Sequence, residues 1–324
     1  MLSQKTFAQY PENRQRSLHE LSLLLYTEQQ RQWPMLADGL AALRHIRTKE
    51  LDCGTFAVRL QFNPQRIVST TAIVDAASIK ARRCFLCLEN LPSEQVGIVY
   101  REKFLLLCNP MPVFKEHFTI SYVEHIPQSI EEQILSLLFL TKDLSPAYSV
   151  FYNGPACGAS APDHMHFQAA PTGSIPVESE IGDRLRFVKI SGGVTCFTRE
   201  QYGRSVIVLE GNSEQQMEMA FLRLSSTMRK ILQTNEEPMM NVIGSFSNGT
   251  WRLIIFPRRK HRPEVYFKIG EERVVISPAA VDIGGLVVTP MEKDFRTVDA
   301  AMITSIYAEV SIQHETLISI LEAV

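Results

Sequence analysis

Tyr152-Asn153-Gly154-Pro155-Ala156-Cys157-Gly158-Ala159-Ser160-Ala161-Pro162-Asp163-His164-Met165-His166-Phe167-Gln168-Ala169 is the stretch on which the reading of this chain turns. Its last six residues alternate in polarity. On an extended strand His164, His166 and Gln168 would share one face, and Met165, Phe167 and Ala169 the other. The apolar face can pack on a core, which leaves three polar groups pointing together. The run from Gly154 to Ser160 lacks bulk, so its backbone N–H groups can approach an anion closely and Ser160 can add a hydroxyl. Four of the eight histidines fall between His117 and His166. Taken singly, an H-x-H pair reads as metal ligands or packed polar groups, and a small-residue loop as a turn. Together they point to a metal-assisted or anion-binding enzyme.

Outward from this stretch, 148–153 reads as a strand and 164–170 as another. Upstream lies a helix with Ser129 and Glu132 as a capping box and Ile130, Ile134, Leu137 and Leu138 as its apolar stripe. Residues 55–62, 98–107 and 118–122 read as strands. Residues 1–50 read as helical, from the spacing of Leu18, Leu21 and Leu25 and of Leu36, Leu40 and Leu43. In the second half a strand at 205–209 leads to a helix with Met217, Phe221, Leu224 and Met228 on one face. Strands at 240–246 and 251–256 flank Asn248-Gly249, a type I′ hairpin signal. A last helix starts near Asp299. Antiparallel strands with few crossovers argue for an α+β fold, and no repeat of identical residues is visible.

Composition closes several doors. The chain has 324 residues, 33 Lys plus Arg against 35 Asp plus Glu, and a net charge of −2. Such a balance offers no general attraction for nucleic acid or an anionic membrane. Hydrophobic residues at 45% and charged residues at 21% are globular values, which exclude disorder. No apolar run approaches the roughly 20 residues that span a bilayer. Six cysteines in this length are no disulfide framework, and a soluble, cytoplasmic protein is expected. Cys84 and Cys87 form a C-x-x-C pair, which suggests metal or redox chemistry. Cys53, Cys108, Cys157 and Cys196 read as small buried residues. Arg258, Arg259, Lys260, His261 and Arg262 form a basic cluster that reads as a solvated loop, or else as a phosphate contact.

The Tyr152–Ala169 segment resembles the active-site segment of the galactose-1-phosphate uridylyltransferase branch of the histidine-triad superfamily. That branch includes the GDP-hexose phosphorylases and the diadenosine polyphosphate phosphorylases. The GDP-hexose phosphorylases look closest, through Asn109-Pro110-Met111-Pro112-Val113, His117-Phe118-Thr119-Ile120, Pro127-Gln128, Ile276-Ser277-Pro278-Ala279 and Gly284-Gly285. Residues 1–50 are covered faintly or not at all. The resemblance implies duplicated histidine-triad-like antiparallel half-barrels with flanking helices: a helical extension over 1–50, a catalytic half over 51–190 and a degenerate half over 191–324.

It also implies roles. His166 would be a nucleophile that carries a nucleoside monophosphate covalently, a step that neutral imidazole can take at pH 7. Gln168 would contact the transferred phosphoryl group, and Asn153, Gly158 and Ser160 would hold its charge. Asn109 and Arg66 match nucleotide-contacting positions, although Arg66 reads equally well as a solvated residue. Cys84, Cys87, His125 and His164 match the four ligands of a structural zinc, with His117 as the rival to His125. The GDP-hexose phosphorylases generally lack this C-x-x-C, so the chain combines two patterns.

The expected function is nucleotidyl transfer from a nucleoside-diphosphate sugar, GDP-hexose first, with release of hexose 1-phosphate. The alternatives are a dinucleoside polyphosphate phosphorylase and a non-catalytic, zinc-stabilised nucleotide-binding protein. The expected partners are a nucleotide sugar and phosphate or a sugar phosphate. Neither nucleic acid nor membrane is expected, and a homodimer is compatible with the family.

Overall fold

The computed structural model describes residues 2–11, 16–182 and 185–324. Its strands in chain order are β1 (Thr6–Tyr10), β2 (Arg47–Asp52), β3 (Ala57–Phe62), β4 (Gly97–Tyr100), β5 (Phe104–Cys108), β6 (Phe118–Tyr122), β7 (Tyr148–Asn153), β8 (His166–Pro171), β9 (Leu185–Ser191), β10 (Val194–Arg199), β11 (Ile207–Gly211), β12 (Met240–Ser247), β13 (Thr250–Pro257) and β14 (Leu286–Thr289). The main helices are α1 (Leu18–Gln32), α2 (Pro34–Leu43), α3 (Ile134–Leu144), α4 (Glu214–Ile231), α5 (Ala300–Val310) and α6 (His314–Ala323). The fold is α+β, with one eleven-stranded sheet in the order β1-β4-β5-β6-β8-β7-β12-β13-β11-β10-β9 and a three-stranded sheet β14-β3-β2.

The large sheet contains the same topology twice. Three antiparallel strands, a helix and a hairpin run β4-β5-β6-α3-β7-β8 in the first half and β9-β10-β11-α4-β12-β13 in the second. The two units meet where β7 pairs antiparallel with β12, Asn153 opposite Asn241.

One face of this sheet is covered along its length by helices. Ile98, Leu106, Ile120, Val150, Tyr152, Phe167, Val242 and Leu253 pack there against Leu25, Leu36, Leu137, Phe221 and Met228. Burying each such side chain is worth roughly 1.5–3 kcal/mol relative to exposure. The opposite face is covered chiefly over the second half, where Phe197, Val208, Ile254 and Phe256 meet Val58, Leu60, Val287, Ile303 and Tyr307. Over β5, β6 and β8 that face opens instead into a cavity.

Local patterns locate most elements, and four differ from expectation. The segment 98–107 is a hairpin, β4 turning into β5 at Arg101 and Glu102, both of which adopt positive φ. Residues 1–50 are not all helical: β1 adds to the free edge of β4 in parallel and β2 pairs with β3. Glu132 does not cap α3. The N-cap Gln133 makes no side-chain cap, and the carboxylate of Glu237, from the other half, instead holds the 3-10 turn that leads into α3, accepting from Ser129 Oγ at 3.0 Å and from the N–H groups of Ile130 and Glu131 at 2.7 and 3.2 Å. The strand expected from 164 begins at His166, because His164 N–H bonds the Ala161 carbonyl in a turn.

Candidate active site

His166 opens β8 and is 4% exposed. Its Nδ1 lies 2.8 Å from the His164 carbonyl oxygen. That oxygen can only accept, so Nδ1 carries the proton and Nε2 keeps its lone pair. Burial pulls the pKa of His166 down to about 4, which keeps the ring neutral. Gln128 brackets the residue. Its Oε1 accepts the His166 N–H at 2.7 Å, and its Nε2 donates to the carbonyls of His166 and Asn153 at 3.0 and 2.9 Å.

Gln168 lies two residues along β8 on the same face. His117 Nδ1 accepts the Val113 N–H at 3.2 Å, so Nε2 is the protonated nitrogen and donates to Gln168 Oε1 at 2.8 Å. The Gln168 NH2 is thereby the end left for the cavity it lines. Burial, then the Arg66 charge, push His117 down to about 3, so it is a fixed neutral donor. His117 is therefore remote from the cysteines in function and in contacts.

Asn153 closes β7. Its Oδ1 accepts from the Ala280 N–H at 2.7 Å and from Asn241 Nδ2 at 2.9 Å, which leaves its NH2 for the cavity. Asn241 also donates to the Cys157 carbonyl at 2.7 Å and accepts from Arg258 Nη1 at 2.6 Å. Arg258 is not in a solvated loop: it is 1% exposed. Its five N–H donors reach Asn241 Oδ1 and the carbonyls of Pro278, Lys260, His261 and Val310. His261 and Arg262 line the cavity, and Arg262 ties Ser277 to the carbonyls of Thr70 and Ala72.

Gly158 has φ of +93°, and a Cβ there would sit 2.6 Å from the Ala279 Cβ, so only glycine fits. Among the described residues none accepts the N–H groups of Gly158, Ala159 or Ser160, all of which line the cavity. Asn109 also lines the cavity; it donates one N–H to Thr119 Oγ1 on β6 and accepts from the Met111 N–H. Half-buried Arg66 donates to the Met111 carbonyl at 2.7 Å and faces Asp282, whose carboxyl burial raises to about 6. The whole cavity holds about 600 Å³, ample for a nucleotide-sized ligand.

His164 does not share the face of His166. Its Nε2 donates to the Tyr122 carbonyl at 2.8 Å, and its Nδ1 turns toward Cys84 Sγ at 3.3 Å and Cys87 Sγ at 3.6 Å. His125 Nδ1 is 3.1 Å from Cys87 Sγ. The four donor atoms of Cys84, Cys87, His125 and His164 all lie within 4.8 Å of one another, so His125 rather than His117 completes a group that could hold a metal ion. Sulfur and nitrogen ligands on one tetrahedral zinc would be about 3.6 Å apart, so the donor set and spacing fit such an ion. The His164 bond to Tyr122 fixes the tautomer that a ligand needs. Burial, with Cys84 beside it, pushes the Cys87 thiol up to about 12, so a thiolate there calls for a cation.

The H-x-H and C-x-x-C segments carried His166, Gln168, His164, Cys84 and Cys87 in plain view, whereas His125 came only through the family resemblance. Gln128, Asn241 and Asp282 were not singled out as site residues, and Arg258 was read as a solvated or phosphate-contacting charge rather than a buried brace, because the partners of Gln128, Asn241 and Arg258 lie far away in sequence.

Comparison with known proteins adds the following. Residues 25–171 match a domain family of unknown function, DUF4922, and residues 176–323 match the family described as GDPGP1-like, C-terminal domain. No curated protein matches the sequence. Among solved structures, yeast Ap4A phosphorylase Apa2 is similar with a TM-score of 0.56 at 15% identity, over 86% of this chain and 94% of that one. Its complexes with AMP and with Ap4A give TM-scores of 0.56 and 0.55 at 16% identity, over 87% and 97%. Across most of its length this chain has the fold of yeast Ap4A phosphorylase.

Proposed function

We propose that this protein is a nucleotidyl phosphorylase that works through a covalent nucleotidyl-histidine, with a nucleoside-diphosphate sugar, GDP-hexose first, as its substrate. One observation carries the reading: His166 holds its proton on Nδ1 against the His164 carbonyl and offers a neutral Nε2 to the cavity, next to three unclaimed backbone N–H groups. The match of residues 176–323 to the GDPGP1-like family supports it.

In this reading the Nε2 lone pair attacks the α-phosphorus. An N–P bond forms as the bond from that phosphorus to its bridging oxygen breaks, and hexose 1-phosphate departs with the electron pair. The N–H groups of Gly158, Ala159 and Ser160, with the amides of Gln168 and Asn153, neutralise the charge on the phosphoryl oxygens. An oxygen of inorganic phosphate or of a sugar phosphate then attacks the same phosphorus, the N–P bond breaks and Nε2 is restored. Nδ1 keeps its proton throughout. A zinc ion held by Cys84, Cys87, His125 and His164 would have a full tetrahedral shell, so it would brace the turn before His166 without supplying chemistry.

A second reading, a dinucleoside polyphosphate phosphorylase, is favoured by the fold shared with yeast Ap4A phosphorylase. The same histidine chemistry would serve it. Incubation with GDP-hexose or with Ap4A, without acceptor, separates the two. The substrate should add one nucleoside monophosphate mass to the chain, labile in acid, and lost in His166→Ala. An undiminished adduct in that variant overturns the proposal.

A further inference from the structure

The basic run Arg258–Arg262 follows β13 and divides by direction. Arg258 is the buried brace of the seam. Arg259 donates to the carbonyls of Ala308 and Glu309, and Lys260 Nζ pairs with Glu264 and Glu309 at 3.2 and 2.9 Å. His261 and Arg262 are the two of the run that line the cavity.

Their place in it follows from the strand order. In the large sheet β6 and β5 lie on one side of β8, and β7, β12 and β13 on the other. Thr119 and Leu107 line the cavity on the first side, and the residues after β13 line it on the second. Segment 277–280 ties that second side to the loop before His166. The Ala280 N–H bonds Asn153 Oδ1, and a Cβ on Gly158 would strike the Ala279 Cβ, so the segment runs against the free amides of 158–160. Ser277, two residues and at most roughly 7 Å of chain before Ala279, accepts from Arg262 Nε at 2.9 Å. Arg258 bonds the carbonyls of Pro278 and His261 at 2.9 and 3.1 Å, which fixes His261 to the same segment.

Donors there are unspent. The Arg262 guanidinium lies over the Tyr266 ring, 4.4 Å from its centre, and its Nη2 donates to the carbonyls of Ala72 and Thr70 at 2.9 and 3.4 Å. Both N–H groups of its Nη1 remain, with no acceptor among the described residues. Neither ring nitrogen of His261 has a hydrogen-bond partner among them. Burial, then the charges of Arg262 and Arg258, pull His261 down to about 4, so the ring is neutral and keeps one N–H to give. The one carboxylate nearby, Asp282, holds the N–H groups of Val288 and Ala279 and faces Arg66.

A fixed guanidinium edge beside an imidazole donor suits an anion with several equivalent oxygens. We propose that His261 and Arg262 hold a second phosphate next to the one at His166: the phosphate that departs when the nucleotidyl-histidine forms, and the one that later attacks it. In that later step an oxygen of the held phosphate bonds to phosphorus, the N–P bond breaks and its electron pair returns to Nε2. The inference rests on the nucleotidyl-transfer reading above, which puts the first phosphate at His166.

The test is equilibrium binding to the full chain of GMP against GDP, and of AMP against ADP, beside the mass assay for the His166 adduct. Wild type should bind the diphosphate more tightly. Arg262→Met should cut that preference by roughly tenfold while leaving the monophosphate nearly unchanged, and Arg262→Lys should restore part of it. His261→Phe, which keeps a ring, should cut it less and keeps the test alive if Arg262→Met does not fold. Preformed adduct is then discharged with inorganic phosphate or with hexose 1-phosphate, tried separately, and whichever works should be needed at roughly tenfold higher concentration in Arg262→Met. No diphosphate preference in wild type, or equal weakening of mono- and diphosphate in Arg262→Met, overturns the inference. Adducts that form and discharge equally well in Arg262→Met sink it and leave nucleotidyl transfer standing. A diphosphate preference that Arg262→Met removes, without any adduct, does the reverse.

Discussion

The hairpins β7/β8 and β12/β13 hold matching places in the two units of the large sheet, yet only the first of them lines the cavity. Residues 154–165 intervene between Asn153 and His166, whereas Asn248 and Gly249 alone join β12 to β13, at φ of +50° and +79°. The long connection supplies free N–H groups, a metal-ligand candidate and a turn that delivers His166. The short one supplies a tight reversal and nothing else. Cover differs as well. The small sheet and α5 lie over the second unit, while the equivalent face of the first stays open as a cavity. The same strand order thus borders a cavity in one half and a packed core in the other, and the packed half lends Asn241, Arg258 and Asp282 across the seam.

The largest expected effect is at matched strand starts. His166→Ala should abolish adduct formation, a loss of about 10⁴-fold or more, with little change in melting temperature. Thr250→Ala, at the first residue of β13, should leave both unchanged. Single-turnover mass measurement and thermal melts on the two variants check the contrast. Next comes the seam. Arg258→Met strips one fully paired guanidinium from five acceptors and should cost about 3–5 kcal/mol in urea unfolding. It should also slow adduct formation, since Asn241, which orients Asn153, loses the guanidinium that holds its Oδ1.

Third is the proposed metal group. Cys84→Ser should remove the roughly one zinc per chain expected from metal analysis and destabilise the protein by about 2 kcal/mol or more. Folded, active wild type that contains no metal would break that part of the comparison. Gly249→Ala, strained at its positive φ, should cost about 1–2 kcal/mol in thermal or urea unfolding and leave nucleotidyl transfer untouched. The smallest effect concerns pH. Burial raises Asp282 to about 6 with Arg66 opposing, so the folded protein binds that proton more tightly than the unfolded chain. Its contribution is complete below the ordinary carboxylate range and is lost as pH rises through 6. Between pH 7 and 5 wild type should therefore gain about 1 kcal/mol relative to Asp282→Asn, read from paired unfolding curves.

What the sequence discloses follows the range of the interaction. The stripe of Met217, Phe221, Leu224 and Met228, the Asn248-Gly249 turn and the Asp299 cap are local, and each appears where its pattern puts it. The partner of Ser129 is not local. Glu132 satisfies the pattern, but Glu237 takes the position because it can also accept from Tyr152 Oη at 2.6 Å. The site divides in the same way. His166, Gln168 and the C-x-x-C stand out because their chemistry is packed into short segments. Asn241 looks like any polar residue at a strand start, and Arg258 like a surface charge, until β12 is laid against β7.

Glu237 has a consequence for the order in which a ribosome makes this chain. His166 and the loop before it emerge well ahead of the carboxylate that holds the turn leading into α3, and ahead of Asn241, Arg258 and Asp282. A nascent first half leaves the turn before α3 without its carboxylate and exposes the bare edge of β7, the edge that β12 later covers. His166 is therefore synthesised early but receives its supporting framework late. A pause or truncation between residues 171 and 237 leaves an unfinished edge strand rather than a smaller complete fold.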